Sequence, residues 1–260
     1  MQDAPQDRAI AVEDGRVGPK RSMLQSVERA FAVLQEVSAR ATPASAAELA
    51  AALGLDKTIV HRILRTLQAE EMVEQVQGRY VIGPRALLFG NAYHESLALR
   101  SAALPYMIDF LKSLPGRQVM VSLAVIVHGQ TALVERIWNP EMSLDLIFGL
   151  GSSFPIDQSA SGRALLAYLE PAKVVSIVGD PRAAQLEDTF ARIRESGGIE
   201  FQHSPVQESH CAIAAVIFPR TSASRSTLIL SGLGLEDDLT PTSPLVNRLR
   251  RYADRVGELL

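Results

Sequence analysis

Apolar residues fall at helical spacing through the first third of the chain and mostly at alternate positions beyond it. Over 24–37 the apolar set is Leu24, Val27, Ala30, Phe31, Leu34 and Val37, a single stripe that predicts an amphipathic helix. Two shorter patterns follow within 45–67. Ala46, Leu49, Ala50 and Leu53 form the first, and Val60, Ile63, Leu64 and Leu67 the second. Ser45 and Glu48 stand at the spacing of a capping box, in which each side chain satisfies an orphan N–H at a helix start. Gly54 can take the left-handed conformation that ends a helix, and Asp56 can cap the next one. The pattern predicts two helices joined by a tight turn. Residues 71–76 and 79–82 then alternate about Gln77-Gly78, a two-stranded hairpin signal.

Gly83-Pro84 breaks the strand. Leu87, Leu88, Ala92 and Leu97 predict a linking helix to about residue 99, and 104–114 a further helix with Met107, Ile108 and Leu111 buried. The second half is richer in strands. Runs at 119–127 and 131–138 flank His128-Gly129, 142–148 reads as a third strand, and 199–203, 212–218 and 226–231 add three more. Helical patterns begin at Ser161 and recur at 171–178 and 187–196. The last helix runs from Pro244, with Leu245, Leu249, Tyr252, Val256 and Leu260 on one stripe. Strands in hairpins with clustered helices predict an α+β domain on an antiparallel sheet.

Composition narrows the class. The 260 residues are 47% hydrophobic and 21% charged, a globular balance. Residues 1–22 are polar and carry no apolar run, which predicts a disordered tail and argues against a secretory signal. No stretch approaches the roughly 18 apolar residues of a membrane span, so no membrane partner is expected. The single cysteine, Cys211, excludes an intrachain disulfide and fits the reducing cytoplasm. Net charge is −3, so any nucleic-acid affinity must be local.

Such a locality exists. Opposite the apolar positions of the second short helix lie Lys57, Thr58, His61, Arg62 and Arg65. A helix with an apolar inner face and Thr, His and Arg outside is suited to a major groove, although basic residues on a solvated face need no ligand. The hairpin that follows completes the order of a winged helix-turn-helix. Arg79 stands beside the tip of that wing, within reach of a phosphate or a minor groove. In the second half, Ser159-Ala160-Ser161-Gly162 leads into a helix. Small residues there either offer backbone N–H groups to an anion or let helix and sheet pack closely. His203, Glu208, His210 and Cys211 lie near one another, but they lack the spacing of a zinc site. Neighbouring His210 and Cys211 point to opposite faces of a strand, which spoils a nucleophile and base pair. There is no G-x-S-x-G elbow and no P-loop lysine. Neither catalysis nor a cofactor is expected.

Several segments together resemble the isocitrate-lyase-regulator (IclR) family of bacterial transcription factors. They are Ser26-Val-Glu-Arg-Ala-Phe, Leu53-Gly-Leu-Asp-Lys-Thr-Ile-Val-His-Arg-Ile-Leu, Tyr80-Val-Ile-Gly with Leu87, Ser159-Ala-Ser-Gly-Arg-Ala-Leu-Leu-Ala, and Ala212-Ile-Ala-Ala-Val-Ile with Leu230-Ser-Gly. The resemblance covers nearly the whole chain from about Leu24. It implies a winged helix-turn-helix at 23–83, a linker helix at 84–99 and a GAF-like effector-binding domain at 100–260. It also implies dimers paired through the DNA-binding domains, often assembled into tetramers. The effector walls it implies are Ala160, Ser161, Gly162, Gln202, His210, Ala212, Ile229 and Ser231, with Leu146 or Phe148 opposite. The chain departs from the family pattern at three places. Glu71 stands where Gly is usual before the wing, Val216 where Pro is common, and His210 and Cys211 where small or apolar residues are usual. The expected protein is a repressor or activator that binds double-stranded operator DNA and answers a small acidic metabolite, a homodimer or homotetramer in the cytoplasm. The alternatives are a metabolite-binding protein whose operator affinity is weak or lost and, behind it, a metal-binding protein.

Overall fold

The computed structural model describes residues 24–147, 152–203, 209–221 and 224–260. The tail expected over 1–22 lies outside these residues, as do Phe148 and Glu208. Contacts divide the chain after Asn91 into two compact units.

The first unit contains α1 (Gln25–Ser38), α2 (Ala46–Leu53), α3 (Lys57–Ala69), β1 (Val73–Val76), β2 (Arg79–Ile82) and the start of α4 (Arg85–Ser96). Its local signals act as the sequence predicts. Ser45 Oγ accepts from Glu48 N–H while Glu48 accepts from Ser45 N–H, Gly54 takes φ 61°, and Asp56 accepts from the Thr58 and Ile59 N–H groups. Gln77 and Gly78 at φ 50° and 78° close the wing with the left-handed pair that a two-residue hairpin favours. Val33, Val37, Leu49, Val60, Leu64, Val73 and Tyr80 make the core. Tyr80 also pairs with Ala44 through two backbone hydrogen bonds, which ties the wing to the segment before α2. Only part of the predicted stripe of α1 is covered, since Leu24, Val27 and Phe31 remain exposed. No residue of α4 is buried.

The second unit is a six-stranded antiparallel sheet in the order β5-β4-β3-β8-β7-β6. Before it comes α5 (Ala98–Lys112), followed by the hairpin β3 (Val119–Val127) and β4 (Gln130–Trp138). The edge strand β5 (Ser153–Pro155) leads to α6 (Ala160–Leu166), α7 (Pro171–Val178) and α8 (Asp180–Glu195). Strands β6 (Ile199–His203), β7 (His210–Ile217) and β8 (Ser226–Leu233) precede the closing helix α9 (Pro244–Glu258). Helices α5 and α9 pack on one face of the sheet through Phe110, Met107, Leu249 and Val256. The small residues of α6 pack on the other face, and α7 and α8 share a further cluster with α6.

Three expectations fail here. Helix α5 starts at Ala98 and carries Pro105 inside it. Its buried face is Leu99, Ala103, Met107 and Phe110, so Ile108, one position round from Met107, is 40% exposed. Of the strand expected over 142–148, the described residues 142–147 form none. A single 3-10 turn, Leu144–Leu146, buries Met142 and Leu146 against Met120. The strand that does pair with the outer edge of β4 is β5, at residues 130–132. Finally, the helix expected at 187–196 begins seven residues earlier, at Asp180.

Candidate functional site

The exposed face of α3 is the first candidate. Lys57, Thr58, His61, Arg62 and Arg65 are all exposed, while Val60 and Leu64 are fully buried. At 100° per residue these five side chains span an arc of about 140°. Lys57, His61 and Arg65 form a column one turn apart, and Arg62 stands at the rim toward α1. There it lines a cleft of about 440 Å³ with Ile59, Ile63, Thr66 and, from α1, Gln25, Ser26 and Arg29. Arg29 was not anticipated from sequence, because it belongs to a helix whose pattern spoke only of packing. Two guanidinium groups bordering one cleft suit the oxygens of a backbone phosphate.

Arg79 is placed differently from its expected position beside a free wing tip. Its Nε donates to the Pro43 carbonyl at 2.7 Å, and its Nη2 lies 2.6 Å from a Glu48 carboxylate oxygen. The backbone N–H of Ser45 and then the Arg79 guanidinium hold the Glu48 carboxyl at a pKa of about 2. Arg79 therefore fastens the wing to α2, and its charge is already shared.

The second candidate is the sheet face beneath α6. Directly paired residues share a face, and the register runs through five strands. One row is Gln202, Ala212, Ser231, Met120 and Trp138, and the next is Glu200, Ala214, Ile229, Ser122 and Arg136. Four expected effector residues, Gln202, Ala212, Ile229 and Ser231, thus come together. His210 joins them by alternation, and burial lowers its pKa. Leu146 reaches the same region through its contact with Met120. Phe148 is outside the described residues.

At the start of α6 the N–H groups of Ala160 and Gly162 already have acceptors. Ala160 N–H donates to Gln202 Oε1 at 2.6 Å, and Gly162 N–H donates to Ser159 Oγ at 3.1 Å. Ser161 is buried, with its hydroxyl 3.4 Å from Ser159 Oγ. A Cβ on Gly162 would lie 1.9 Å from the Ile156 carbonyl oxygen. Close packing, the second of the two readings of this stretch, is what Gly162 serves.

His210 and Cys211 do diverge. Cys211 is fully buried in the core beneath α5 and α9. Of the cluster noted in the sequence, it is His203 that meets the thiol: its Nδ1 lies 3.4 Å from Cys211 Sγ across the β6–β7 pair. Burial and the nearby Glu236 push the thiol pKa up, the opposite of what a nucleophile needs. Among the described residues, no three His, Cys, Asp or Glu side chains gather as a metal site would require.

The sequence reading also passed over Arg136. A bulge between Leu123 and Ala124 pairs Leu123 with Glu135 and leaves Val134 as the extra residue, so Glu135 and Arg136 face opposite ways. Glu135 meets Arg100 of α5 at 2.7 Å. Arg136 turns to the α6 side, its guanidinium 5.4 Å from the centre of the Trp138 ring. Two adjacent opposite charges inside an otherwise apolar strand were the available signal.

Comparison with known proteins agrees with both halves. The model of the IclR helix-turn-helix domain matches residues 26–77, and that of the bacterial transcriptional regulator IclR C-terminal domain matches 91–254. The glycerol operon regulatory protein of Streptomyces griseus is 32% identical over 249 residues, covering 90% of this chain and 95% of its own. Among solved structures, an IclR family transcriptional regulator from Brucella abortus superposes with a TM-score of 0.77 at 18% identity, covering 94% of this chain and 95% of that one. An IclR homologue from Microbacterium hydrocarbonoxydans, complexed with 4-hydroxybenzoate, gives a TM-score of 0.64 at 22% identity over 89% and 97% of the two chains. With its helix-turn-helix half and its sheet half each matched in order, the chain belongs to the IclR family of bacterial transcriptional regulators.

Proposed function

We propose that this protein regulates a catabolic operon by binding a double-stranded operator through α3, and that a small organic molecule bound beneath α6 controls that binding. In this reading 23–83 is the DNA-binding domain, 84–99 the link and 100–260 the effector-binding domain. The exposed face of α3 carries the proposal: Lys57, Thr58, His61, Arg62 and Arg65 together on a capped helix whose other side is core. The glycerol operon regulator of Streptomyces griseus and the 4-hydroxybenzoate complex of the Microbacterium homologue support control of a degradative pathway by a small metabolite.

Assembly as a homodimer or homotetramer is part of the proposal. Leu24 is 72% exposed and Phe31 61%, and on α4 Leu87, Leu88 and Phe89 are each at least 60% exposed. Apolar surface of that extent in so small a unit marks an interface. Work in the reducing cytoplasm, where the operator lies, fits the free thiol of Cys211. No helix among the described residues is long and apolar enough to cross a membrane.

A gel-shift with DNA from upstream of the protein's own gene and its divergent neighbour tests the proposal. A discrete complex that resists non-specific competitor DNA is expected. Binding no tighter than to random DNA of the same length would favour the metabolite-binding alternative.

A further inference from the structure

We propose that Arg136 is the charge anchor of the effector site and that the effector is a small monocarboxylate with an apolar body. The inference rests on the reading of the α6-covered face as that site.

Two nitrogens of Arg136, Nε and Nη1, are buried and have no hydrogen-bond partner, and Ser231 Oγ in the adjoining row is in the same condition. The register sets them close. Arg136 pairs with Ser122, Ser122 with Ile229, and Ser231 is the next residue on that face of β8. No acid among the described residues answers the guanidinium. Glu200, in the same row, is taken by Arg163 at 2.7 Å, and Glu135 bonds Arg100 on the other side of the sheet. Buried guanidinium nitrogens without a hydrogen-bond partner are costly, and a fold that retains them usually completes them with something it binds.

The surroundings narrow what that is. Among the described residues, Arg136 is the arginine of this face left unneutralised, since Arg163 is paired with Glu200, so a single negative charge fits better than a dianion. Trp138 covers the guanidinium from one side. Met120, Met142 and Leu146 form an apolar cluster beside the same row, with Ile229 across it. A carboxylate accepting from Arg136 and from the Ser231 hydroxyl, with its hydrocarbon against the methionines, would satisfy both sets of orphan donors at once.

The chain has one tryptophan, and it is Trp138, so binding at Arg136 can be read by intrinsic fluorescence of the full protein. The probes are acetate, pyruvate, benzoate and 4-hydroxybenzoate, each against a neutral counterpart such as benzamide or glycerol. We expect at least one carboxylate to change Trp138 emission saturably and to raise the melting temperature, with its neutral counterpart inactive. Arg136→Gln should weaken that carboxylate by about thirtyfold or more and leave operator binding intact. Without any ligand the variant should melt no lower than wild type, because an uncompensated cation has been removed. A melting temperature several degrees lower would show that the fold already satisfies the guanidinium, and would overturn the assignment. A carboxylate that binds Arg136→Gln as tightly as wild type, or a panel in which no carboxylate binds, overturns it equally. Ser231→Val separates this failure from that of the site. A probe lost in Ser231→Val but kept in Arg136→Gln leaves the effector face standing and removes the anchor. A probe kept in both places the effector elsewhere.

Discussion

Two backbone positions show how single residues set the terms for their units. Glu71 adopts φ 55° just before the wing, a conformation that costs a residue with a side chain about 1–2 kcal/mol. It cannot relax outward, because Gly83 presses on it so closely that a Cβ there would lie 2.2 Å from the Glu71 carbonyl oxygen. Glu71→Gly should therefore stabilise the winged unit by about 0.5–1 kcal/mol, the left-handed penalty less the extra chain entropy of glycine. A rise in melting temperature checks it, and a fall would mean that the Glu71 side chain makes a contribution of its own. Gly162 is the converse case. With 1.9 Å between a new Cβ and the Ile156 carbonyl oxygen, Gly162→Ala should destabilise the sheet unit by about 3 kcal/mol. That outcome would be seen as an earlier thermal transition, whatever ligand is present. A variant that folds normally and merely ignores effector would restore the ligand-facing view of this glycine. The sequence makes each glycine conspicuous but does not say what lies opposite it. The carbonyl that excludes a Cβ at 162 comes from a turn six residues back, whose course depends on the sheet.

Elements whose ends are written locally were the most legible. Helices α2 and α3 carry their own caps within a few residues, and the three hairpin residues Gln77, Gly78 and Gly129 announce their turns. Boundaries set by distant neighbours were not legible: α5 gains its first six residues because Leu99 and Ala103 find a core, and 142–147 turns instead of extending because Met142 and Leu146 bury against Met120. Arg79 likewise appears free in one dimension and is held in three.

That bond makes a pH prediction for α2. The Glu48 pKa is lowered from 4.5 to about 2, and that of Asp56 is lowered as well, by the Thr58 N–H first. A lowered acid pKa contributes stability that is present above the unfolded value and lost as pH falls toward the folded one. The winged unit should thus weaken from about pH 4.5 down to 2. Glu48→Gln should show its deficit at pH 7 and converge with wild type across that window. Parallel stability curves at every pH would rule out Glu48 as the source of the acid limb.

Helix α3 allows a division of labour between its arginines. Arg65 belongs to the outward column with Lys57 and His61, whereas Arg62 shares the α1 cleft with Arg29. Arg65→Ala should cost about 1–3 kcal/mol on the operator and relax its sequence preference, as loss of a base contact does. Arg62→Ala should weaken specific and random DNA alike and reduce the salt dependence by about one counterion. Circular dichroism should not change, since both side chains are exposed. Operator affinity unchanged in both variants would remove α3 from the groove.

At the scale of the whole molecule, the apolar residues left outside the cores carry the remaining prediction. Leu24, Val27 and Phe31 on α1 and Leu87, Leu88 and Phe89 on α4 continue helical stripes whose other members are buried or face solvent without reason. Covering them with a second copy would produce two recognition helices related by a two-fold axis, which is the symmetry a palindromic operator requires. The two helices then bind as one tethered unit, so losing the pairing costs far more than half the DNA affinity. Phe31→Asp combined with Leu88→Asp places charge in the middle of both exposed sets without touching any core residue. Monomer stability should shift by no more than about 0.5 kcal/mol per site, as for other surface substitutions. Light scattering should report a smaller assembly than wild type at micromolar concentration, and operator affinity should fall by at least tenfold. A variant of unchanged mass that still binds its operator would assign these residues to some other surface. A variant that becomes monomeric yet binds as before would show that one recognition helix suffices.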